Sequence, residues 1–518
     1  MTSSALVFIM IPALSLIYAG IGNRSFAMTL FRLPLITAAF IGLQWALWGY
    51  ALTFTRSTLS TNWWGGESRA FGLFDVAARP IGIGDGVNGA SIPELVYVIY
   101  EGMFASFTAA IVCGGTMQRA RPARFLVFIS IWSVLVYYPV ARWSWDIEGW
   151  SKKLGVMDFA GGTPVHIVSG TTVATFAIFC SFERHDSVGD SFGHVKKAFL
   201  EVLRTNVILA FLARHSKSAP RHPVDESQSL PSDGYTQDGD AQLIVGPSIG
   251  EEQSDSEAEH PATGPPAPGP VANELLMNAR PQPQLTTRAP EKSQVYSVNY
   301  VVLGTALLWF GWAGFNGGSA LGGNLRSVSA WTSTHVAACS GGTMAVVLIW
   351  LDKTIARRTP GYKGDSFDSM SALYFCDGAL AGLVAITPGA GYVPVWSAVI
   401  FGVVSYICVW MLRRPALTIL KNDPLQIFLL HAGAGVVGMC LTGLFARYQL
   451  VDCIAGIGYT FVVTMAILCF MKLTVHCVAK RSVSPHSLKD NPLQATEMQE
   501  WVGVTVAGNA PAVQSSAV

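Results

Sequence analysis

The chain has 518 residues, of which 51% are hydrophobic and only 13% charged, against about 25% charged in a soluble domain. Its 34 Lys+Arg and 33 Asp+Glu leave a net charge of +1, and the mean hydropathy is +0.40. These values exclude a nucleic-acid binder held by basic charge and argue against a soluble enzyme or a disordered scaffold. An integral membrane protein remains. The nine cysteines are scattered through apolar runs without a C-x-x-C pair, so they read as small buried hydrophobes rather than a disulfide framework.

A membrane span needs about 20 largely apolar residues. Eleven such runs are predicted, at 3–22, 31–54, 92–116, 122–142, 160–182, 297–318, 328–351, 370–388, 393–412, 427–446 and 451–474. The fold class is therefore an all-α integral membrane protein. The first run is read as a transmembrane helix rather than a cleavable leader. Gly311, Gly314, Gly317 and Gly318 in one run, and Gly161, Gly162 and Gly170 in another, are expected to permit close helix packing. Basic residues cluster in alternate loops: Arg119, Arg121 and Arg124; Lys353, Arg357, Arg358 and Lys363; Arg413, Arg414 and Lys421. The positive-inside rule makes that side cytoplasmic, with the N-terminus outside and the C-terminus inside. Arg142, Lys152 and Lys153 run against the pattern.

Residues 183–296 differ in composition, with an acidic run at 250–259 and Pro-rich sequence from Pro261 to Pro290. They are expected to be a disordered cytoplasmic insert, in which 195–213 has the pattern of an interfacial amphipathic helix. Residues 476–518 form a tail. The domain plan is thus helices 1–5 over 1–182, the insert, helices 6–11 over 297–475, and the tail.

Ionisable groups at membrane depth mark function. His166 opens the fifth run and His431 lies in the tenth, each with a glycine four residues later, Gly170 and Gly435. On a helix, that glycine shares the histidine's face. The fifth and tenth runs hold equivalent places in two sets of five, which suggests an internal repeat with a site at its interface. Facing imidazoles can pass hydrogen bonds to a small polar solute, or stand as bonded core histidines. No third ligand at metal-site spacing accompanies them, so no metal is expected. Asp158 is an N-cap candidate and also a carboxylate that favours cations. Trp145 reads as an interfacial tryptophan or a cation–π surface. Phe104 and Phe315 sit in Gly-rich surroundings and read as core or as gate. No Walker A or metalloprotease motif occurs, so neither an enzyme nor an ATP-driven pump is expected.

Several segments together resemble the ammonium transporter family (Amt/Mep/Rh), its fungal Mep-like branch in particular. They are Trp45-Ala-Leu-Trp-Gly-Tyr50, Asp158 through His166, Leu308 through Ser319, Gly382 through Pro388, and His431 to Ala446. The resemblance covers about 3–182 and 297–475 and leaves the insert unmatched. It implies eleven helices as two inverted five-helix repeats plus a final helix, assembled as a homotrimer in the lipid bilayer of the plasma membrane. It implies substrate binding by Trp145, Ser319, Phe104 and Tyr100, a gate of Phe104 and Phe315, and a pore and proton pathway through His166, His431 and Asp158. The substrate would be ammonium or ammonia, with methylammonium as a candidate analogue; no cofactor, metal or nucleic acid is implied. The alternative is an ammonium sensor with reduced or no transport. Three positions depart from the family pattern: Gln426, where an Asp is usual five residues before the second histidine, and Gln494 and Gln499 in the tail.

Overall fold

The computed structural model describes residues 1–22, 24–57, 60–76, 80–82, 91–116, 121–182, 295–356, 367–420, 423, 425–444 and 449–482. Residues 183–294 of the expected insert, with its amphipathic helix, and the tail beyond Ser482 with Gln494 and Gln499, lie outside them.

The described residues are almost wholly helical. In chain order the helices are α1 (Thr2–Ile21), α2 (Arg24–Gln44), α3 (Tyr50–Phe54), α4 (Glu94–Thr116), α5 (Pro122–Trp132), α6 (Tyr138–Trp145), α7 (Trp150–Lys153) and α8 (Val168–Phe182). The second half holds α9 (Val298–Gly318), α10 (Leu325–Ala356), α11 (Phe367–Ile386), α12 (Ala398–Ile419), α13 (Ala434–Thr442) and α14 (Gln449–Ser482). A short antiparallel hairpin, β1 (Pro80–Gly82) on β2 (Ser91–Pro93), precedes α4. Among the described residues nine helical stretches are long and apolar enough to cross a membrane. Two shorter apolar helices, Ser371–Ile386 and Phe428–Thr442, fall in the predicted eighth and tenth runs.

Four of these stretches are not uniform α-helix. Wide π turns occupy Trp45–Gly49, Ser133–Tyr137, Gly162–Ile167 and Phe428–Gly433. Such turns re-aim side chains and recur at functional sites. The first follows α2, the second joins α5 to α6, and the last two lead into α8 and α13 and carry His166 and His431.

The two halves meet most extensively where α1 crosses α9. Glycine makes the crossing close. A methyl group at Gly304 would lie 2.7 Å from the Ala13 carbonyl oxygen, and one at Gly311 would lie 2.6 Å from that of Leu6. The expectation of close packing thus holds at Gly311 and at Gly314, which faces Leu6 and the Ser3 carbonyl. Gly317 differs: its nearest neighbour, Ser327, is at an ordinary 3.5 Å. The largest fully buried side chains include Trp132, Trp143, Trp312 and Phe104, which fill the centre of the bundle. Phe40, Phe310, Trp350 and Phe470 remain on the outside, as suits a surface solvated by lipid.

Arg142, an exception to the basic-loop pattern, is fully buried. It donates to the carbonyl oxygens of Thr61, Thr53 and Thr55 at 2.8, 2.9 and 3.2 Å and pairs with Glu148 at 2.8 Å. It satisfies the backbone that follows α3 and is not a surface charge. Lys153, by contrast, reaches Asn62 at 3.0 Å.

We expect Gly304→Ala to lower thermal stability by about 1–3 kcal/mol, because the helices cannot separate locally without losing packing. Gly317→Ala should be near neutral. Melting of the detergent-purified protein, followed by size-exclusion, distinguishes the two.

Candidate functional site

The polar interior is built from the two π turns. Asp158 precedes the first by four residues, and its carboxylate is buried. Oδ1 accepts the Gly161 and Gly162 N–H groups at 2.9 and 2.6 Å, and Oδ2 accepts that of Thr163 at 2.8 Å. Gly161 has φ +108°, a conformation that penalises any side chain. Burial pushes the Asp158 carboxyl up to about 6, against the pull of these three amides.

The second turn repeats the device. Asp423 lies eight residues before His431, as Asp158 lies eight before His166. Its two oxygens accept the N–H groups of Ile427 at 3.0 Å and Phe428 at 2.8 Å. Burial raises this carboxyl as well, to about 6. Sequence reasoning looked for an organising acid at Gln426 and missed Asp423; the equal eight-residue spacing was the available signal. Gln426 itself takes a left-handed φ of +56° and leads the chain into the turn.

The capped turns stand back to back. Gly170 faces Ala432 of the opposite turn, where a methyl group would lie 2.5 Å from the Ala432 nitrogen. Gly435 faces the Gly162 carbonyl and the His166 Cβ, at 3.2 and 3.3 Å. The two His-x-x-x-Gly patterns therefore interlock, each glycine receiving the other histidine's turn. The result is a direct bond between His166 Nδ1 and His431 Nδ1 at 3.1 Å, with the rings 5.3 Å apart and 20° from parallel. Trp312 stacks on His166 at 5.3 Å and 13° and is held by its N–H bond to Thr387 Oγ1 at 3.0 Å. Both histidines are buried and neither Nε2 has a partner.

Only one proton fits between two Nδ1 atoms in a hydrogen bond. With both rings neutral, the donor ring keeps a bare Nε2 acceptor and the other ring keeps an Nε2–H donor. The pair thus presents one acceptor and one donor to a small molecule that can answer both.

Next to the pair lies an aromatic cluster. Phe315 approaches His166 at 6.1 Å and stacks on Phe104 at 4.1 Å and 23°. Trp145 meets Phe104 edge-on at 5.7 Å, and Tyr100 lies 4.9 Å from Phe104. The Tyr100 hydroxyl donates to the Phe315 carbonyl at 2.6 Å and lies 3.2 Å from Ser319 Oγ. Trp145 is the last residue of α6, which runs past the predicted end at 142, and its Nε1–H donates to the Asp158 carbonyl at 3.1 Å. All eight sequence-derived residues therefore fall in one continuous assembly. A third acid missed from sequence is Asp452, opening α14. It accepts Thr163 Oγ1–H at 2.5 Å and Ser151 Oγ–H, tying α14 to the His166 turn and to α7.

We expect Asp423→Ala to cost about 0.5–2 kcal/mol, the range for a lost N-terminal cap, because two buried N–H groups lose their acceptor. A lowered melting point with the helix content retained is the readout.

The chain matches the model of the Ammonium Transporter Family over residues 1–197 and 275–503, interrupted across the compositionally distinct insert. It is 29% identical over 497 residues to ammonium transporter 1 of Schizosaccharomyces pombe, covering 91% of this chain and 75% of that protein. It is 29% identical over 444 residues to the ammonium transporter MEP2 of Saccharomyces cerevisiae, covering 86% and 65%. The crystal structure of Candida albicans Mep2 superposes with a TM-score of 0.59 at 28% identity, covering 91% of this chain and 82% of that one. The chain belongs to the ammonium transporter family.

Proposed function

We propose that this protein carries ammonium across a membrane, binding NH4+ at the Trp145, Ser319, Tyr100 and Phe104 cluster and passing NH3 along His166 and His431. In this reading the proton leaves the substrate before the histidine pair and crosses separately, through polar groups that include Asp158 and the imidazoles. The observation that carries it is the bonded histidine pair with two unpartnered Nε2 atoms, lying behind a stacked phenyl pair.

The chemistry follows from what distinguishes ammonium from potassium. The two cations are close in size, so a rigid hole does not separate them. Ammonium has a proton to give. Trp145 offers an aromatic face to a cation, and Ser319 Oγ offers an acceptor. Phe104 and Phe315 bar hydrated ions until the rings part. Beyond them the lining beside His431 is mostly apolar, with Leu14, Ile17, Val301, Leu380 and Leu430, so an ion that stays charged meets a steep desolvation cost. Ammonia is neutral, accepts from the Nε2–H ring and donates to the other. Potassium does neither.

The same reading assigns the Trp145 end to the outside, the N-terminus outside and the C-terminus inside, and places residues 183–296 and 476–518 in the cytoplasm. Its assembly is a homotrimer with one pore per subunit, in the plasma membrane. The family relationship and the apolar outer faces of the helices support it.

The test is the ammonium-evoked current of the purified protein in liposomes, with potassium as control. A saturable, ammonium-selective current is expected. No current from folded trimer would point to the sensing alternative. We further expect His166→Ala to reduce that current or to admit potassium. Unchanged flux and selectivity at equal protein content would remove His166 from the mechanism.

A further inference from the structure

One buried acid has no part in the scheme above. Glu101 lies in the middle of α4, only 7% exposed, and its Oε2 has no hydrogen-bond partner. No Lys or Arg among the described residues forms an ion pair with it. An intramembrane carboxyl in this condition calls for a reason.

Its position supplies one. Glu101 follows Tyr100 in sequence and lies one helical turn before Phe104, so by helical spacing it shares a face with Tyr97, Phe104 and Thr108. Tyr100 and Phe104 line the aromatic cluster, where Trp145 meets Phe104. The ionisable groups that feel the Glu101 charge are Tyr97 and Tyr100 on α4 and Tyr137 on the π turn ahead of α6. Asp146 and Arg56 act on Tyr97 in turn. The Tyr137 hydroxyl is also buried without a hydrogen-bond partner. α4 and the π turn ahead of α6 thus each contribute a buried polar atom without a hydrogen-bond partner. The cluster itself holds aromatic faces and hydroxyls, and neither carries a formal negative charge.

We propose that Glu101 is the charged member of the cation site, a carboxylate that raises affinity for ammonium and sets how that affinity depends on pH. The proposal rests on the transport reading above. Ionising a buried carboxyl is costly without a counter-charge, and the arriving cation is that counter-charge. Binding and ionisation are then linked: NH4+ enters, the Glu101 carboxyl releases H+ to the outer solution, and each event favours the other. Affinity is therefore stronger at higher pH and weakens as acid holds Glu101 in its neutral form.

The experiment measures ammonium-evoked current against ammonium concentration, in liposomes with the full-length protein, at acidic and alkaline pH. Glu101→Gln keeps the shape and removes the charge. It should raise the half-saturating concentration at alkaline pH by about tenfold, the order of one nearby charge in a protein interior, and flatten its pH dependence. The change should fall on that concentration rather than on the maximal current. Glu101→Asp keeps the charge and should keep the pH dependence. An unchanged half-saturating concentration in Glu101→Gln overturns the proposal, as does an Asp variant that behaves like Gln, since packing would then explain both. If the wild type passes no ammonium current, the transport reading fails. Binding of methylammonium, followed by tryptophan fluorescence, then tests Glu101 by itself with the same two variants.

Discussion

The arrangement depends on keeping two helices open-ended inside an apolar interior. A helix start leaves N–H groups unpaired, and within a membrane each unpaired group costs several kcal/mol. Asp158 and Asp423 remove that cost by turning a carboxylate onto the exposed amides of the two π turns. With the turns capped, the imidazoles at their far ends are fixed in direction. Without the caps, neither His166 nor His431 has a defined place from which to reach the other.

Asp158 does more than cap. Its backbone carbonyl holds the Trp145 indole, so one residue sets both the aromatic cluster and the first histidine. Asp452 adds a tether from α14 to the same turn through Thr163. The Trp145 indole and the first histidine's turn are thus both anchored on Asp158. Movement at Gly161–Thr163 would disturb both together, whereas the Asp423 turn acts on the histidine pair alone.

Glycine and aromatic residues divide the packing between them. Glycines let backbones approach where the halves cross, at Gly304 and Gly311, and where the turns interlock, at Gly170 and Gly435. Trp312, Phe104 and Phe315 fill the space this creates, and the imidazole Nε2 atoms beside them stay unpaired. The interior is dry by composition and polar only at chosen points.

The sequence by itself determined the membrane class, the order of the apolar runs and the pairing of His166 with His431, because hydropathy, spacing and motif order survive in one dimension. The family resemblance, carried by segments such as Leu308 through Ser319, also named every member of the aromatic cluster. What only the tertiary structure decided concerns partners distant in the chain. The Asp423 cap shows in the sequence only as an eight-residue spacing before His431; what makes it a cap is the Ile427 and Phe428 amides it meets. Arg142 reads as a loop charge until its carbonyl partners are seen around it. The Nδ1–Nδ1 geometry and the isolation of Glu101 follow from how α4, α6 and the two turns are brought together. Hydrogen bonding and desolvation act through space, and the linear chain carries no record of which groups will be left without a partner.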